Sequence, residues 1–136
     1  MVELAPAARS PITPMLPDAV VAGWVVSGRR SSAALTLTDH TPLAKVVVKA
    51  AWDGAMAKTL AVPFGRSARQ AWNVEEGTVG VLLTGSGPGE WLALAAPGQQ
   101  LNVVEWFEKS AGRAAELVTV VDLTHGRALV RLTGQR

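Results

Sequence analysis

The chain contains no cysteine among its 136 residues, which removes disulfides, thiolate metal sites and cysteine nucleophiles together. It has only two histidines, His40 and His125, too few for a zinc site unless several carboxylates are brought beside them. No apolar run approaches the ~18 residues of a membrane-spanning helix. Met1-Val2-Glu3-Leu4-Ala5-Pro6 lacks the basic stretch and apolar run of a secretory signal. The net charge is only +2, and Arg29 and Arg30 are the sole adjacent basic pair, so the clustered basic face of a nucleic-acid binder is missing. There is no Gly-x-Gly-x-x-Gly fingerprint and no flavin attachment motif. These absences argue against nucleic acid and membrane as partners, and for a soluble, cytoplasmic protein.

What is present is the composition of a folded chain, with 49% hydrophobic and 18% charged residues. The length suits one domain. Four prolines (Pro6, Pro11, Pro14 and Pro17) fall in the first seventeen residues. Proline fixes φ and removes a backbone donor, so residues 1–30 are expected to form an extended, proline-rich N-terminal arm. Residues 31–136 are expected to form a single α+β domain.

Ala33-Ala34-Leu35-Thr36-Leu37-Thr38 alternates in period two, and Leu43 to Lys49 is a β-branched run. With Asp39-His40-Thr41-Pro42 as turn chemistry between them, the two read as a hairpin. Trp52 to Ala61 favours a helix, with Asp53 as its cap and Pro63 ending it. Phe64 to Gln70 reads as a loop. Thr78 to Leu83 and Glu90 to Ala95 read as strands around a turn at Gly85-Ser86-Gly87-Pro88-Gly89. Asn102 with Glu105 resembles a capping box opening a helix through Trp106 and Phe107. Leu117 to Leu123 and Arg127 to Leu132 read as a last hairpin turning at Thr124-His125-Gly126. The order is β-β-α-β-β-α-β-β with largely antiparallel sheet. A chain that stops at Gly134-Gln135-Arg136, straight after a strand, reads as a domain incomplete at its C-terminus.

Chemically suggestive clusters are few. Asp122, His125 and Arg127 bring a carboxylate, an imidazole and a guanidinium together in sequence, as acid–base chemistry requires. The same positions suit a turn in which Asp accepts backbone N–H bonds and Arg pairs locally, and that structural reading is favoured. The run Gly85 to Gly89 lacks the lysine and following helix of a phosphate loop, and Gly65-Arg66-Ser67-Ala68-Arg69 departs from a serine-nucleophile elbow. Trp91 and Trp106 fall on core faces, whereas Trp24, Trp52 and Trp72 fall near element ends as partly buried residues or interface anchors.

Three stretches, in order, carry a family resemblance. They are Ala8-Arg9-Ser10-Pro11-Ile12, then Val81-Leu82-Leu83 with Gly87-Pro88-Gly89-Glu90-Trp91-Leu92-Ala93-Leu94, then Val120-Val121-Asp122-Leu123-Thr124-His125-Gly126-Arg127 through Gly134. Together they resemble the gamma subunit family of heterotetrameric sarcosine oxidase. The third is also similar to a segment of the glycine-cleavage T-protein and its folate-binding relatives. Gly89 departs from the family's usual aspartate, Gly126 from a frequent asparagine and Gln135 from a proline, and the chain is about two-thirds of a typical member's length, still of single-domain size.

The resemblance implies a fold like part of the T-protein and a non-catalytic structural role in sarcosine and one-carbon catabolism. The alpha and beta subunits would be the partners, holding FAD, FMN and NAD, while this chain would hold no cofactor and no catalytic residue. The alternative is a stand-alone T-protein-like folate binder or aminomethyltransferase relative. Tetrahydrofolate would then be its ligand, with Asp122 and Arg127 as weak pocket candidates. A degenerate fragment without function is a third reading.

Overall fold

Alternation of period two dominates the middle of the chain, and the largest sheet forms there. The computed structural model describes residues 7–12, 18–28, 30–31 and 34–134. In chain order the elements are β1 (Ala8–Arg9), β2 (Asp18–Val21), β3 (Trp24–Ser27), β4 (Arg30–Ser31), β5 (Leu35–Asp39), β6 (Ala44–Lys49), α1 (Ala55–Leu60), β7 (Ser67–Val74), β8 (Gly77–Gly87), β9 (Glu90–Ala95), α2 (Gln100–Ala114), β10 (Thr119–Asp122) and β11 (Val130–Gly134). The fold is α+β, with two helices and mostly antiparallel sheet.

The chain divides into two compact units. The first takes the residues up to Pro42 together with those from Arg127 onward. It contains a three-stranded sheet in the order β1-β3-β2 and another in the order β11-β5-β4. Strands β2 and β3 join through Ala22 (φ 49°) and Gly23 (φ 80°), the two left-handed residues that a tight right-twisted hairpin needs. Trp24 and Val26 are buried on β3.

The second unit, Leu43–Gly126, is a five-stranded antiparallel sheet in the order β10-β6-β9-β8-β7. Alternate side chains of its strands face the two helices: Val46 and Val48, Trp91 and Ala93, Val79, Val81 and Leu83, and Trp72. Met56 and Leu60 of α1 and Val103 and Phe107 of α2 complete that core. Trp72 stacks on Trp106 at a centroid distance of 3.9 Å and 7° between planes, and Phe107 meets Trp72 edge-on at 5.1 Å. Burying each large apolar side chain contributes about 1.5–3 kcal/mol, so this aromatic cluster is a principal anchor of α2.

The architecture departs from the sequence reading in its pairings. The hairpin expected over residues 33–49 does not form: β5 pairs with β4 and β11, whereas β6 pairs with β9 and β10. The hairpin expected at the C-terminal end is also absent, because β10 pairs with β6 and β11 with β5. Within residues 1–30, the stretch expected as an extended arm, the chain supplies β1, β2, β3 and the start of β4. Apolar runs such as Trp24-Val25-Val26 outweigh the nearby prolines; Pro6, Pro14 and Pro17 lie outside the described residues. The boundary between the two compact units falls at Pro42 and Arg127. The loop expected over 64–70 is largely strand, since β7 begins at Ser67.

Both helix caps also differ. Asp53 does not cap α1, whose N-cap is Gly54 without a side-chain bond of its own. Asn102 lies inside α2, which starts two residues earlier, and its amide donates to Gln99 Oε1 at 2.9 Å. Glu105 pairs instead with Lys109 one turn on.

Candidate functional site

An apolar groove of about 530 Å³ lies in the second unit, between α1 and the β8–β9 turn. Trp52, Phe64, Pro88 and Lys58 stand around it, and Trp91 forms its floor. Trp52 is 73% exposed and Phe64 65%, whereas Trp91 is buried at 4%. Two large aromatics left in water at one rim represent apolar area that a partner or ligand can desolvate.

Local chemistry fixes this rim. Helix α1 is only six residues long and has no acidic residue in its first turn. Its orphan donors are satisfied from sixty residues away: Glu116 accepts from Ala55 N–H at 3.1 Å and from Met56 N–H at 2.7 Å. The carboxylate also meets the positive end of the helix dipole. Ala61 closes the helix in the left-handed conformation, donating to Ala57 C=O at 3.0 Å, and Pro63 follows. The indole N–H of Trp91 donates to Val62 C=O at 2.7 Å, tying the floor to the segment after α1.

The opposite wall depends on glycine. Gly89 has φ +69°, and a Cβ there would stand 2.4 Å from Ala50 C=O. A bond from Ala50 N–H to Gly89 C=O at 3.0 Å holds the two backbones at this distance. Glycine in place of the aspartate usual in the resembled family is therefore what the packing demands. Strand β8 runs on to Gly87 with an irregular register, so the tight turn is Pro88-Gly89 and not the whole of Gly85 to Gly89.

Asp122 and His125 lie in the second unit and Arg127 in the first. Asp122 Oδ1 accepts from Thr124 N–H at 2.8 Å. Thr124 is buried, and its hydroxyl accepts from Lys45 N–H at 3.1 Å, while Leu123 N–H donates to Lys45 C=O at 2.8 Å. This is an Asx turn that ends β10 against β6. The side chains of His125 and Arg127 are exposed.

Sequence reasoning passed over one polar centre in the first unit. Asp39 is buried and accepts from Ser27 N–H at 3.1 Å and Thr41 N–H at 3.0 Å. Ser10 donates its hydroxyl to Thr41 Oγ1 at 3.2 Å, and Leu129 N–H donates to the same oxygen at 3.2 Å. Burial pushes the Asp39 carboxyl up, but the hydrogen bonds from Thr41, Ser10 and Ser27 outweigh it and hold its pKa below the ordinary value. Asp39 thus joins β3 and β5 and, through Thr41, the segments leading out of β1 and into β11. Phe64, set between Pro63 and Gly65, was also missed as a site residue. An aromatic between two chain-breaking residues has no strand or helix face to bury it, and that was the available signal.

No group of metal-ligating side chains occurs among the described residues, and no helix there is long and apolar enough to cross a membrane.

The arrangement of helices and antiparallel strands is that of part of the T-protein fold. The solved structure of glycine cleavage system aminomethyltransferase T from Bartonella henselae matches with a TM-score of 0.63 and 17% identity, over 87% of this chain and 37% of that one. At that identity the likeness concerns the fold, and the chain spans little more than a third of its neighbour's length. No family model and no curated protein sequence matches the chain.

Proposed function

We propose that the chain is a non-catalytic assembly subunit, of the gamma type, in a sarcosine oxidase-like flavoenzyme complex. The observation that carries this reading is the pair of exposed aromatics, Trp52 and Phe64, on the rim of one apolar groove. The turn that walls the groove, Gly87-Pro88-Gly89-Glu90-Trp91, belongs to one of the stretches that resemble the gamma family. Alpha and beta subunits would supply FAD, FMN and NAD and the site of amine oxidation. This chain would contribute buried interface, with Trp52 as an anchor. Co-expression with alpha and beta subunits of a sarcosine oxidase tests it. A flavin-containing complex that retains the chain is expected; a complex that assembles fully without it would defeat the reading.

A second reading is favoured by the fold likeness to an aminomethyltransferase: a folate-binding relative acting in one-carbon transfer. Asp122 and Arg127 are its candidate contacts. Titration with tetrahydrofolate, followed by tryptophan fluorescence, separates the two. Saturable quenching that Arg127→Ala weakens supports the folate reading, and an unchanged spectrum supports the assembly subunit.

A further inference from the structure

The groove between α1 and the β8–β9 turn is bounded by aromatic faces and by two prolines, Pro63 and Pro88. Trp91 Nε1 is spent on Val62 C=O and Trp72 Nε1 on Gln70 Oε1, whereas the Trp52 indole N–H has no acceptor among the described residues. The backbone beside it is closed. Pro63 and Pro88 carry no N–H, Lys58 N–H donates to Gly54 C=O, and Ala61 N–H donates to Ala57 C=O. An added strand needs a row of free donors and acceptors, which this wall does not offer. Trp52 and Phe64 together leave on the order of 300 Å² of aromatic surface in water, well below the ~800 Å² that each partner of a stable globular interface buries. The lining holds one carboxylate, Asp53, and one ammonium, Lys58, so it has no net charge to select an acidic or a basic ligand.

We propose that the groove takes a proline-rich segment of the partner chain, bound as a left-handed polyproline II helix. This deepens the assembly reading and rests on it for the existence of a protein partner. The small aromatic area selects a short linear segment over a folded face. The closed backbone selects a ligand that forms no ladder, and the balanced lining selects an uncharged one. A polyproline II segment is both, and its three-residue turn returns every third proline to one edge, where the rings meet the aromatic faces. It has no internal hydrogen bonds, so its carbonyls are open and one of them accepts from the Trp52 N–H. An amphipathic α-helix would leave that donor unmet, because its carbonyls are already bonded within it. The preformed conformation of a proline-rich segment also keeps the entropy lost on binding small.

Calorimetric titration of the full chain with a synthetic decaproline peptide is the test. Saturable binding is expected, with a dissociation constant that changes less than about twofold between low and high salt. Trp52→Ala and Phe64→Ala each weaken it about tenfold or more and leave the thermal melt unchanged, since both side chains are largely exposed. Trp52→Phe keeps a ring and loses the donor, so it weakens binding measurably but less than Trp52→Ala. No saturable heat at millimolar peptide overturns the proposal. So does binding indifferent to both alanine variants, or binding matched by an amphipathic helical peptide of leucine and lysine. Co-expression with alpha and beta subunits judges the assembly reading separately. Decaproline binding without retention in the complex removes that reading and leaves the ligand class of the groove standing. Retention without decaproline binding removes the polyproline ligand alone.

Discussion

Glu116 Oε1 lies 2.7 Å from the backbone nitrogen of Met56, so the last turn before β10 caps a helix sixty residues earlier in the chain. Both carboxylate oxygens are engaged, one on Ala55 and one on Met56. A six-residue helix has little intrinsic stability, and here the cap and the burial of Met56 and Leu60 hold it in place.

Replacing Glu116 with Ala is expected to lower stability by about 1–2 kcal/mol, the upper range for a lost cap with a charge at a helix N-terminus. Gly54→Ala should cost a comparable amount, since its Cβ would overlap the Glu116 carboxylate. Urea denaturation measures both. A double variant no worse than either single change is the outcome that ties both effects to one contact.

Gly89→Asp introduces the residue usual in the resembled family. The left-handed conformation and the approach of Ala50 C=O make it unfavourable here, by about 1–3 kcal/mol. A thermal melt unchanged by the substitution would show that this turn relaxes without cost.

The pKa of Asp39 is depressed, so the stability it contributes is fully present above the unfolded-state value and is lost as pH falls through the folded-state value. Wild-type stability should therefore decline at acid pH below the ordinary carboxylate range. Asp39→Asn should lose about 1–3 kcal/mol at neutral pH, because an amide cannot satisfy both N–H donors as a carboxylate does. The variant should also show a flatter acid limb. Denaturation at a series of pH values reads both effects.

Trp52→Ala should leave folding stability within about 0.5 kcal/mol, because the side chain is largely in water. Under the assembly reading it should weaken retention in a complex with alpha and beta subunits by about tenfold or more. A calorimetric melt and a co-purification titration separate these two quantities.

The middle of the chain was legible because its pattern is local. Val79, Val81 and Leu83 recur at every second position on the buried face, and the apolar run of β6 is buried on both faces of its sheet. Strand β7 hid its alternation because Gln70 occupies a core-facing position. Its amide donates to Leu60 C=O at 2.8 Å and its oxygen accepts from Trp72 Nε1 at 2.7 Å, so a polar side chain is satisfied where an apolar one was sought. Strand partners were illegible for a different reason. Asp39-His40-Thr41-Pro42 has the composition of a hairpin turn, yet Asp39 spends one oxygen on Ser27, a contact that no local window contains. The groove combines residues 52–64 with 87–91, and their meeting is likewise a product of sheet order. The turn role favoured for Asp122 over acid–base chemistry needed only its neighbour two residues on, and the bond to Thr124 fulfils it.

The segment from Leu43 to Gly126 begins and finishes on adjacent strands, for Leu123 N–H bonds Lys45 C=O and Thr124 receives Lys45 N–H. A stretch whose two ends meet in this way behaves as a cassette. It is suited to being cut out, joined end to end through a short linker and reopened at an exposed turn such as Glu75-Glu76, since the closure that such surgery normally has to impose already exists in the native ladder.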